Sequence, residues 1–243
     1  MPVHVERRSE HVRVVTLDRP ERRNALDDPT LEAIAAAVAD APAGTRALVV
    51  RGDGGHFCSG ADLTGVEDPG FAARLRAVLA ALRGAPYPTI AAVEGAALGA
   101  GTQLAVACDL RTATPTAQFG IPAAKLGLMV DHWTVQRLGA MAGQGPTRAM
   151  LLAAEVLTGE DAHRLSLVQR LCSPDEALAW ADEIAGRAPL TIAGHKLMLN
   201  ALDPDLPDAP EVSAAFGAAW GSEDLQEGLA AFRERRAPTF RGR

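Results

Sequence analysis

Two short apolar runs, each followed at once by a loop of small residues, constrain the fold of this chain more than any other feature. Residues 47–50 read Ala-Leu-Val-Val before the loop 52–63, and residues 87–93 lead into the loop 95–101. Continuous apolar runs of this length are typical of strands that are covered on both faces. An amphipathic helix lies between them, and its apolar face consists of Phe71, Leu75, Val78, Leu79 and Leu82. The alternation predicts an α/β fold with parallel strand pairing.

The rest of the chain continues this alternation and then becomes mainly helical. Asp28 is predicted to cap a helix that has Pro29 at its first position. A short helix is expected at Thr102–Cys108 and a strand at Asp109–Ala113. From Trp133 onward the apolar residues recur mostly at helical spacing, so the second half is predicted to be helical.

Charge and composition exclude several classes of function. With 24 Lys and Arg against 30 Asp and Glu, the net charge is −6, and only 4% of the residues are aromatic. Such a chain offers neither a basic surface for phosphates nor a row of rings for bases, so nucleic acid is not expected as a partner. Cys58, Cys108 and Cys172 lie far apart without a CxxC pair. This spacing favours a reducing compartment and predicts neither a disulfide nor a metal site.

The N-terminus and the uncharged stretches also bear on location. Residues 1–10 carry charge where an export signal needs an apolar run. The longest uncharged stretch lies between Glu94 and Asp109 and has 14 residues. A membrane helix needs roughly 20 apolar residues, so this stretch is too short to span a bilayer. We therefore expect a cytoplasmic protein without a membrane span.

The two small-residue loops are the candidate functional region. In open α/β sheets, ligands bind at the carboxyl ends of the strands, where residues 56–63 and 95–101 are expected to lie. Loops without bulky side chains let backbone N–H groups approach a ligand directly. Two converging N–H groups can hold a carbonyl oxygen that becomes negative during a reaction, which makes an oxyanion hole. Taken singly, each loop is better explained by a tight turn or close helix packing than by a binding site.

A set of motifs then extends along nearly the whole chain. They are Leu17-Asp18-Arg19-Pro20 with Asn24-Ala25-Leu26, residues 57–63, residues 94–101, Ala117–Pro122, Gln136-Arg137-Leu138 and residues 227–232. On these motifs the chain resembles the crotonase family, also called the enoyl-CoA hydratase/isomerase family. The resemblance implies a crotonase-like α/β spiral of strand-strand-helix turns with a C-terminal helical region. It also implies coenzyme A thioesters as substrates, a role in fatty acid metabolism and no prosthetic group.

The resemblance also implies a domain organisation and an assembly. Residues 1–188 are expected to form the crotonase core with the acyl-CoA site, and residues 189–243 a helical region for oligomerisation. A homotrimer or a dimer of trimers is the expected assembly. Within the C-terminal region, the stretch Asp203–Pro210 is rich in proline and aspartate and predicts a break between helices.

Particular residues follow from the motif positions. The resemblance implies that the N–H groups of Ala61 and Ala100 hold the thioester oxygen. The residues implied in coenzyme A binding are Arg22, Arg23, Ala25, Asp62 and Leu63. For the two arginines, solvated loop charges are an equally good interpretation. Near the C-terminus, Leu225, Leu229 and Phe232 share one helical face that is predicted to pack against the protein.

The chain departs from the family where hydratases carry two glutamates that handle one water molecule. Gln103 stands at the first glutamate position and Ala123 at the second. Neither residue titrates in the useful range. Asp131 falls where dienoyl-CoA isomerases and dehalogenases of the family carry a catalytic aspartate, so it is the candidate acid or base. Asp131 also directly precedes a predicted helix, where it would equally serve as an N-cap, and Gln103 would equally serve as a structural hydrogen-bonding residue.

These observations leave more than one function to compare. The first is an enzyme of the lyase or isomerase class that acts on an acyl-CoA through an enolate stabilised in the oxyanion hole. The second is a non-catalytic acyl-CoA-binding protein that kept the pocket, because both glutamates are missing. A structural subunit without a ligand is the third interpretation.

Overall fold

The computed structural model describes residues 1–64, 70–202 and 210–242. Its strands are β1 (Val3–Arg7), β2 (Val12–Leu17), β3 (Ala47–Gly52), β4 (Thr89–Val93), β5 (Ala96–Leu98), β6 (Leu110–Ala113), β7 (Gln118–Gly120), β8 (Val156–Thr158) and β9 (Arg170–Leu171). Its α-helices are α1 (Asp28–Ala39), α2 (Phe71–Gly84), α3 (Ala100–Ala107), α4 (His132–Ala142), α5 (Gln144–Leu152), α6 (Gly159–Arg164), α7 (Pro174–Ala185), α8 (Pro189–Leu202), α9 (Pro210–Trp220) and α10 (Glu223–Glu234). Short 3₁₀ turns occupy Pro20–Arg22 and Pro122–Leu126.

Two sheets organise these elements. The larger sheet has the order β1-β2-β3-β4-β6-β9, and all of its pairs are parallel except β1 with β2. The smaller sheet has the order β5-β7-β8. The predicted parallel pairing is confirmed for the strands that precede both loops, whereas the antiparallel β1 and the smaller sheet had no prediction. Strand β4 is buried along its whole length, as a continuous apolar run requires.

Helices cover both faces of the larger sheet. Helices α1 and α2 pack in the main core, where Leu31, Ile34 and Leu79 are buried. Helix α7 packs on the opposite face, and its residues Ala177 and Ala181 contact the buried side of β2, β3 and β4. Burial of each large aliphatic side chain contributes roughly 1.5–3 kcal/mol to folding. Because helices cover both faces of the sheet, the ends of β3 and β4 are held in position. The starting points of the loops that follow them are therefore held as well.

Three local predictions differ from the structure in their details. The N-cap of α1 is Asp27, whose side chain accepts from the N–H of Thr30, so the predicted cap at Asp28 was wrong by one residue. Asp28 is the first helical residue and makes a bidentate contact with Arg74, at 2.8 Å for each bond. Helix α3 begins at Ala100 instead of Thr102, and the second half also contains β8 and β9.

The C-terminal helices pack on the core of the same chain. Lys196 of α8 is buried and lies 2.7 Å from a carboxylate oxygen of Asp109, and it also donates to the carbonyl of Tyr87 at 2.9 Å. Helix α10 approaches the Pro122–Leu126 turn so closely that a Cβ on Gly228 would lie 2.3 Å from the Leu126 carbonyl oxygen. The division at residues 188 and 189 stays a prediction. Of the predicted break at 203–210, residues 203–209 lie outside the described residues and Pro210 begins α9.

Candidate active site

A cavity of about 690 Å³ lies where the two small-residue loops meet the C-terminal helices. All of the predicted site residues line it. They are Arg22, Arg23, Ala25, Ala61, Asp62, Leu63, Ala100, Gln103 and Asp131, together with Ala123 at the second glutamate position. The cavity wall is mainly apolar, which is typical of small-molecule sites with a few placed polar groups. Residues from distant parts of the sequence therefore meet at one site.

Ala61 lines this cavity, and its pairing with Leu26 leaves its N–H pointing away from Leu26. Leu26 donates to the carbonyl of Gly60 at 2.8 Å and accepts from the N–H of Asp62 at 2.7 Å. In a parallel bridge of this kind, the residue between the two bonded neighbours points its own N–H and C=O away from the partner strand. In the described part of the chain, the Ala61 N–H donates to no protein acceptor. It is therefore available to a ligand.

The N–H of Ala100 is available for a different reason, because Ala100 is the first residue of helix α3. The first N–H groups of a helix have no intrahelical acceptor and lie at its positive end. Gly99 precedes it with φ 53° and ψ −119°, a conformation that glycine adopts readily, whereas Ala100 itself needs no positive φ. Alanine at this position thus leaves the N–H intact. The Thr102 hydroxyl fixes the start of α3 by donating to the carbonyl of Ala97 at 2.6 Å.

The two amides lie in adjacent, hydrogen-bonded loops. Cys58 donates to the carbonyl of Ala96 at 2.8 Å and accepts from the N–H of Leu98 at 2.9 Å. A Cβ built on Gly60 would lie 3.0 Å from the Leu98 oxygen and 3.7 Å from the Ala100 nitrogen. Gly60 has φ 114°. Glycine at position 60 therefore lets the loop that carries Ala61 approach the loop that carries Ala100.

Asp131 and Gln103 form a hydrogen-bonded pair in the cavity wall. One carboxylate oxygen of Asp131 accepts from the N–H of Thr134 at 2.8 Å and caps α4. The other accepts from the Gln103 amide nitrogen at 3.1 Å, and the same nitrogen donates to the Thr134 hydroxyl at 2.8 Å. The predicted cap is thus confirmed, and Asp131 lines the cavity while it performs that structural role.

The rest of this wall lacks a second carboxylate that is available for chemistry. Among the described lining residues, the acids are Asp62 and Asp131, and the Asp62 carboxylate is engaged by Arg19 and Thr64. Ala123 lies in the Pro122–Leu126 turn and presents only a methyl group to the cavity. Of these two acids, Asp62 is held in an ion pair by Arg19, whereas Asp131 accepts from the Gln103 amide and the Thr134 N–H.

The residues proposed for coenzyme A binding differ in exposure, and Ala25 and Asp62 among them are buried. Arg22 and Arg23 are exposed, and the backbone that carries them is tied to the loop after β3. Ser59 makes both connections, with its N–H donating to the Arg23 carbonyl at 2.9 Å and its hydroxyl to the Arg22 carbonyl at 3.2 Å. Two guanidinium groups at a cavity mouth suit anionic phosphate groups.

Aromatic side chains near the C-terminus contribute to the site in a way that the sequence did not reveal. Phe216 and Trp220 stack at a centroid distance of 5.6 Å and line the cavity, and Trp220 donates to the carbonyl of Met129 at 3.0 Å. Phe232 also lines the cavity and is 58% exposed, so the prediction that it packs with Leu225 and Leu229 was wrong for Phe232. Four of the ten aromatic residues, counting Phe71, line this one cavity.

Two further classes of site have no counterpart in the described residues. Residues 1–64, 70–202 and 210–242 include no group of three or more His, Cys, Asp or Glu side chains that could hold a metal ion. In the same ranges, every helix is too short or too polar to cross a membrane.

Comparison with known proteins agrees with this geometry. The family model described as enoyl-CoA hydratase/isomerase matches residues 7–243. The chain belongs to the enoyl-CoA hydratase/isomerase family. A relative named "Probable enoyl-CoA hydratase echA6" from Mycobacterium tuberculosis is 43% identical over 240 residues, which cover 96% of this chain and 97% of that protein. The crotonyl-CoA hydratase of Syntrophomonas wolfei is 34% identical, with 96% of this chain and 95% of that protein covered.

Solved structures of the enoyl-CoA hydratase/isomerase family share the whole fold. The crystal structure of methylmalonyl-CoA decarboxylase complexed with 2S-carboxypropyl-CoA matches with a TM-score of 0.91 and 25% identity, over 100% of this chain and 99% of that chain. An enoyl-CoA hydratase/carnitine racemase from Magnetospirillum magneticum matches with a TM-score of 0.79 and 29% identity, over 100% and 96% of the two chains. The predicted crotonase-like α/β fold and the predicted enzyme family are confirmed.

Proposed function

We propose that this chain transfers protons at an acyl-CoA thioester through an enolate held by the N–H groups of Ala61 and Ala100. The observation that carries the proposal is the pair of adjacent loops whose amides face one cavity and donate to no protein acceptor in the described part of the chain. Deprotonation next to a thioester places negative charge on its oxygen. Each amide aimed at that oxygen is worth about 10²–10³ in rate.

Asp131 is the proposed acid or base. Its carboxylate lines the cavity, and the Gln103 amide that donates to it at 3.1 Å would fix its orientation toward the acyl group. Hydration across a double bond needs one group that removes a proton from water and another that delivers one. With Gln103 and Ala123 at the glutamate positions, one carboxylate remains, which favours proton transfer such as isomerisation over hydration.

The cavity walls support a particular kind of substrate. Phe71, Phe216 and Trp220 line the apolar part, which suits an uncharged acyl group. At the mouth, Arg22 and Arg23 would bind the phosphates of coenzyme A, which enters as part of the substrate. Ala25, Asp62 and Leu63 also line the cavity and would contact the coenzyme A portion. We place this activity in fatty acid metabolism.

The assembly and location are part of the same proposal. Large apolar side chains of α8 are exposed in the single chain, and a homotrimer or dimer of trimers would cover them. They are Leu190, Leu197, Met198, Leu199 and Leu202. The three cysteines are free, which suits a reducing cytoplasm. Residues 189–243 would then both roof the cavity and contribute to oligomerisation.

The test is hydrogen exchange in D₂O into a panel of enoyl- and dienoyl-CoA esters that each carry a C–H bond whose deprotonation gives an enolate. Mass spectrometry detects deuterium at the acyl carbons even where no net product forms. We expect enzyme-dependent incorporation into at least one apolar ester. Asp131→Asn should lower that rate by about 10²–10⁴, because asparagine does not act as a base. Incorporation at the uncatalysed rate for every ester would refute the proposal.

The same substitution separates the two roles of Asp131. Asparagine and aspartate are similarly good N-caps, so Asp131→Asn should keep the thermal stability of the protein. Asp131→Ala removes the cap as well and should lower the free energy of unfolding by about 1 kcal/mol. If Asp131→Asn exchanges protons at the wild-type rate, Asp131 is only a cap.

A non-catalytic acyl-CoA-binding protein is the second candidate function. It is favoured by one observation, namely that both Asp131 oxygens already accept hydrogen bonds from the protein. This function predicts saturable binding of the same esters without deuterium incorporation. A structural subunit without a ligand would bind none of them, so equilibrium binding and exchange together distinguish all three possibilities.

A further inference from the structure

A partly buried cation lies directly behind the loop that carries Ala61. The side chain of Arg19 is 17% exposed and joins two carboxylates, with one nitrogen 3.0 Å from Asp27 and another 3.1 Å from Asp62. It also donates to the carbonyl of Ala25 at 2.7 Å. One guanidinium therefore connects the loop after β3, the N-cap of α1 and the backbone before Leu26. Arg19 is not among the described residues that line the cavity.

Asp62 transmits this contact to the Ala61 peptide. It follows Ala61 directly, its N–H donates to Leu26, and its carboxylate accepts from Arg19 on one oxygen. The other oxygen accepts from the Thr64 hydroxyl at 2.7 Å and from the Thr64 N–H at 3.2 Å. The N–H and both carboxylate oxygens of Asp62 thus have hydrogen-bond partners. The carbonyl of Gly60 and the N–H of Asp62 both bond to Leu26, so the backbone is fixed on each side of Ala61. This sets the direction of the Ala61 N–H.

Arg19 is itself held in place. Its N–H donates to the side-chain oxygen of Asn24 at 2.9 Å, and the amide nitrogen of Asn24 donates to the carbonyls of Asp53 and His56 at 2.8 Å and 2.7 Å. These bonds tie the end of β2 to the loop after β3. The position of the guanidinium is therefore determined by backbone elements of the core.

The charge of this pair also bears on the oxyanion hole. Burial by itself raises the pKa of Asp62, but the hydrogen bonds from Thr64 and Arg19 outweigh burial and hold the pKa below its usual value. Asp62 is thus ionised at neutral pH, one residue from an amide that would face a developing negative charge. The Arg19 cation compensates the Asp62 anion and limits that repulsion.

We propose that Arg19 is a positioning residue that, through its ion pair with Asp62, aims the Ala61 N–H at the thioester oxygen. This proposal rests on the function proposed above and adds to it a residue that lies outside the cavity. Removal of the Arg19 cation should weaken the interaction between the Ala61 N–H and a charged thioester oxygen. Binding of the whole ligand should change less, because only the interaction with the oxygen depends on the direction of that N–H.

The test uses cinnamoyl-CoA, whose conjugated thioester absorbs at longer wavelength when hydrogen bonds polarise its carbonyl. Titration gives a Kd and the absorption maximum of the bound ester for each variant. We expect Arg19→Met to keep a Kd near the wild-type value but to lose most of the red shift. Deuterium incorporation is measured with the ester that the wild-type protein labels, because cinnamoyl-CoA has no C–H bond whose deprotonation gives an enolate. That incorporation should fall by about 10- to 100-fold, a part of what a whole oxyanion donor contributes. Arg19→Lys should recover part of the red shift.

Asp62→Asn and the double variant with Arg19→Met complete a double-mutant cycle. If the two residues act as one pair, the double variant should lose no more red shift than either single variant. Asp62→Asn keeps the side-chain shape, so it tests the proposal even if Arg19→Met does not fold. Arg51→Met is the matched control, because Arg51 is a partly buried arginine of β3 that bonds to Thr16 and Glu6 away from the cavity.

The outcomes distinguish the positioning role of Arg19 from the proposed oxyanion hole on which it rests. A wild-type red shift that persists in folded Arg19→Met and Asp62→Asn would overturn the positioning role and leave the oxyanion hole intact. Equal loss in Arg51→Met would also overturn it, because the effect would then follow general destabilisation. If the wild-type protein binds cinnamoyl-CoA without any red shift, the oxyanion hole itself is refuted and the role of Arg19 with it.

Discussion

The cavity has two polar walls that are built in different ways. The amide wall, residues 58–61 and 96–100, is held by backbone hydrogen bonds between loops and strands. The carboxylate wall, residues Gln103, Ala123 and Asp131, presents side chains from α3, a 3₁₀ turn and the N-terminus of α4. Because the amide wall uses main-chain groups, alanine at position 100 leaves its donor in place. The carboxylate wall changes its chemistry with each substitution, so a family can keep the first wall and vary the second.

The amide wall is broken most directly by Gly60→Ala. A Cβ at φ 114° is strained, and it would press on the Leu98 oxygen and displace the loop that carries Ala100. We expect deuterium incorporation to fall by about 10²–10³, the contribution of one oxyanion donor. Gly44→Ala is the matched control, because Gly44 has φ 93° and no atom within 4 Å of an added Cβ. A similar loss of rate in both variants would contradict this account.

The carboxylate wall should accept new chemistry without any change in the amide wall. The double variant Gln103→Glu with Ala123→Glu places carboxylates at both positions where hydratases carry them. We expect hydration of crotonyl-CoA to rise by about 10–100-fold over the wild-type protein, since one group can then take a proton and the other return it. Each single variant serves as a control and should hydrate poorly.

The last prediction concerns how rarely the amide wall opens. Burial raises the pKa of the Cys58 thiol to about 12, partly offset by a hydrogen bond to Gly60, so almost no thiolate forms at pH 8. Cys172 is only partly buried. Burial raises the pKa of the Cys172 thiol as well, but Cys172 is partly exposed, so peptide mapping after iodoacetamide treatment should show Cys58 reacting more slowly than Cys172. Cys108 is equally buried and should match Cys58; a fast reaction at Cys58 alone would show that the amide wall opens.

The parts of the molecule that local patterns encode were predictable from the sequence. The runs before the two loops are continuous and apolar because β3 and β4 are covered on both faces, and Asp131 precedes α4 in the way an N-cap does. The small residues Gly60, Gly99 and Ala100 predicted backbone N–H groups that a ligand can approach. The roles of individual site residues came from motif positions, and their arrival at one cavity depended on the fold.

Contacts between distant residues were not predictable in the same way. The pairing of Arg19 with Asp62 spans 43 residues, and nothing in the local pattern of either segment distinguishes it from two solvated charges. Phe216 and Trp220 lie on a helix whose periodicity gives an apolar face but not what that face covers. The shift of the α1 cap to Asp27 has a local reason, since two adjacent aspartates precede Pro29 and both suit the position.

The late position of Phe216 and Trp220 in the sequence has a consequence for how the protein is made. Ala61, Ala100 and Asp131 leave the ribosome well before Phe216 and Trp220, because chains are synthesised from the N-terminus. The nascent chain therefore lacks the part of the cavity wall that Phe216 and Trp220 contribute until the late helices are made. On the function proposed above, the capacity to retain an acyl group would be acquired only in the final stage of translation.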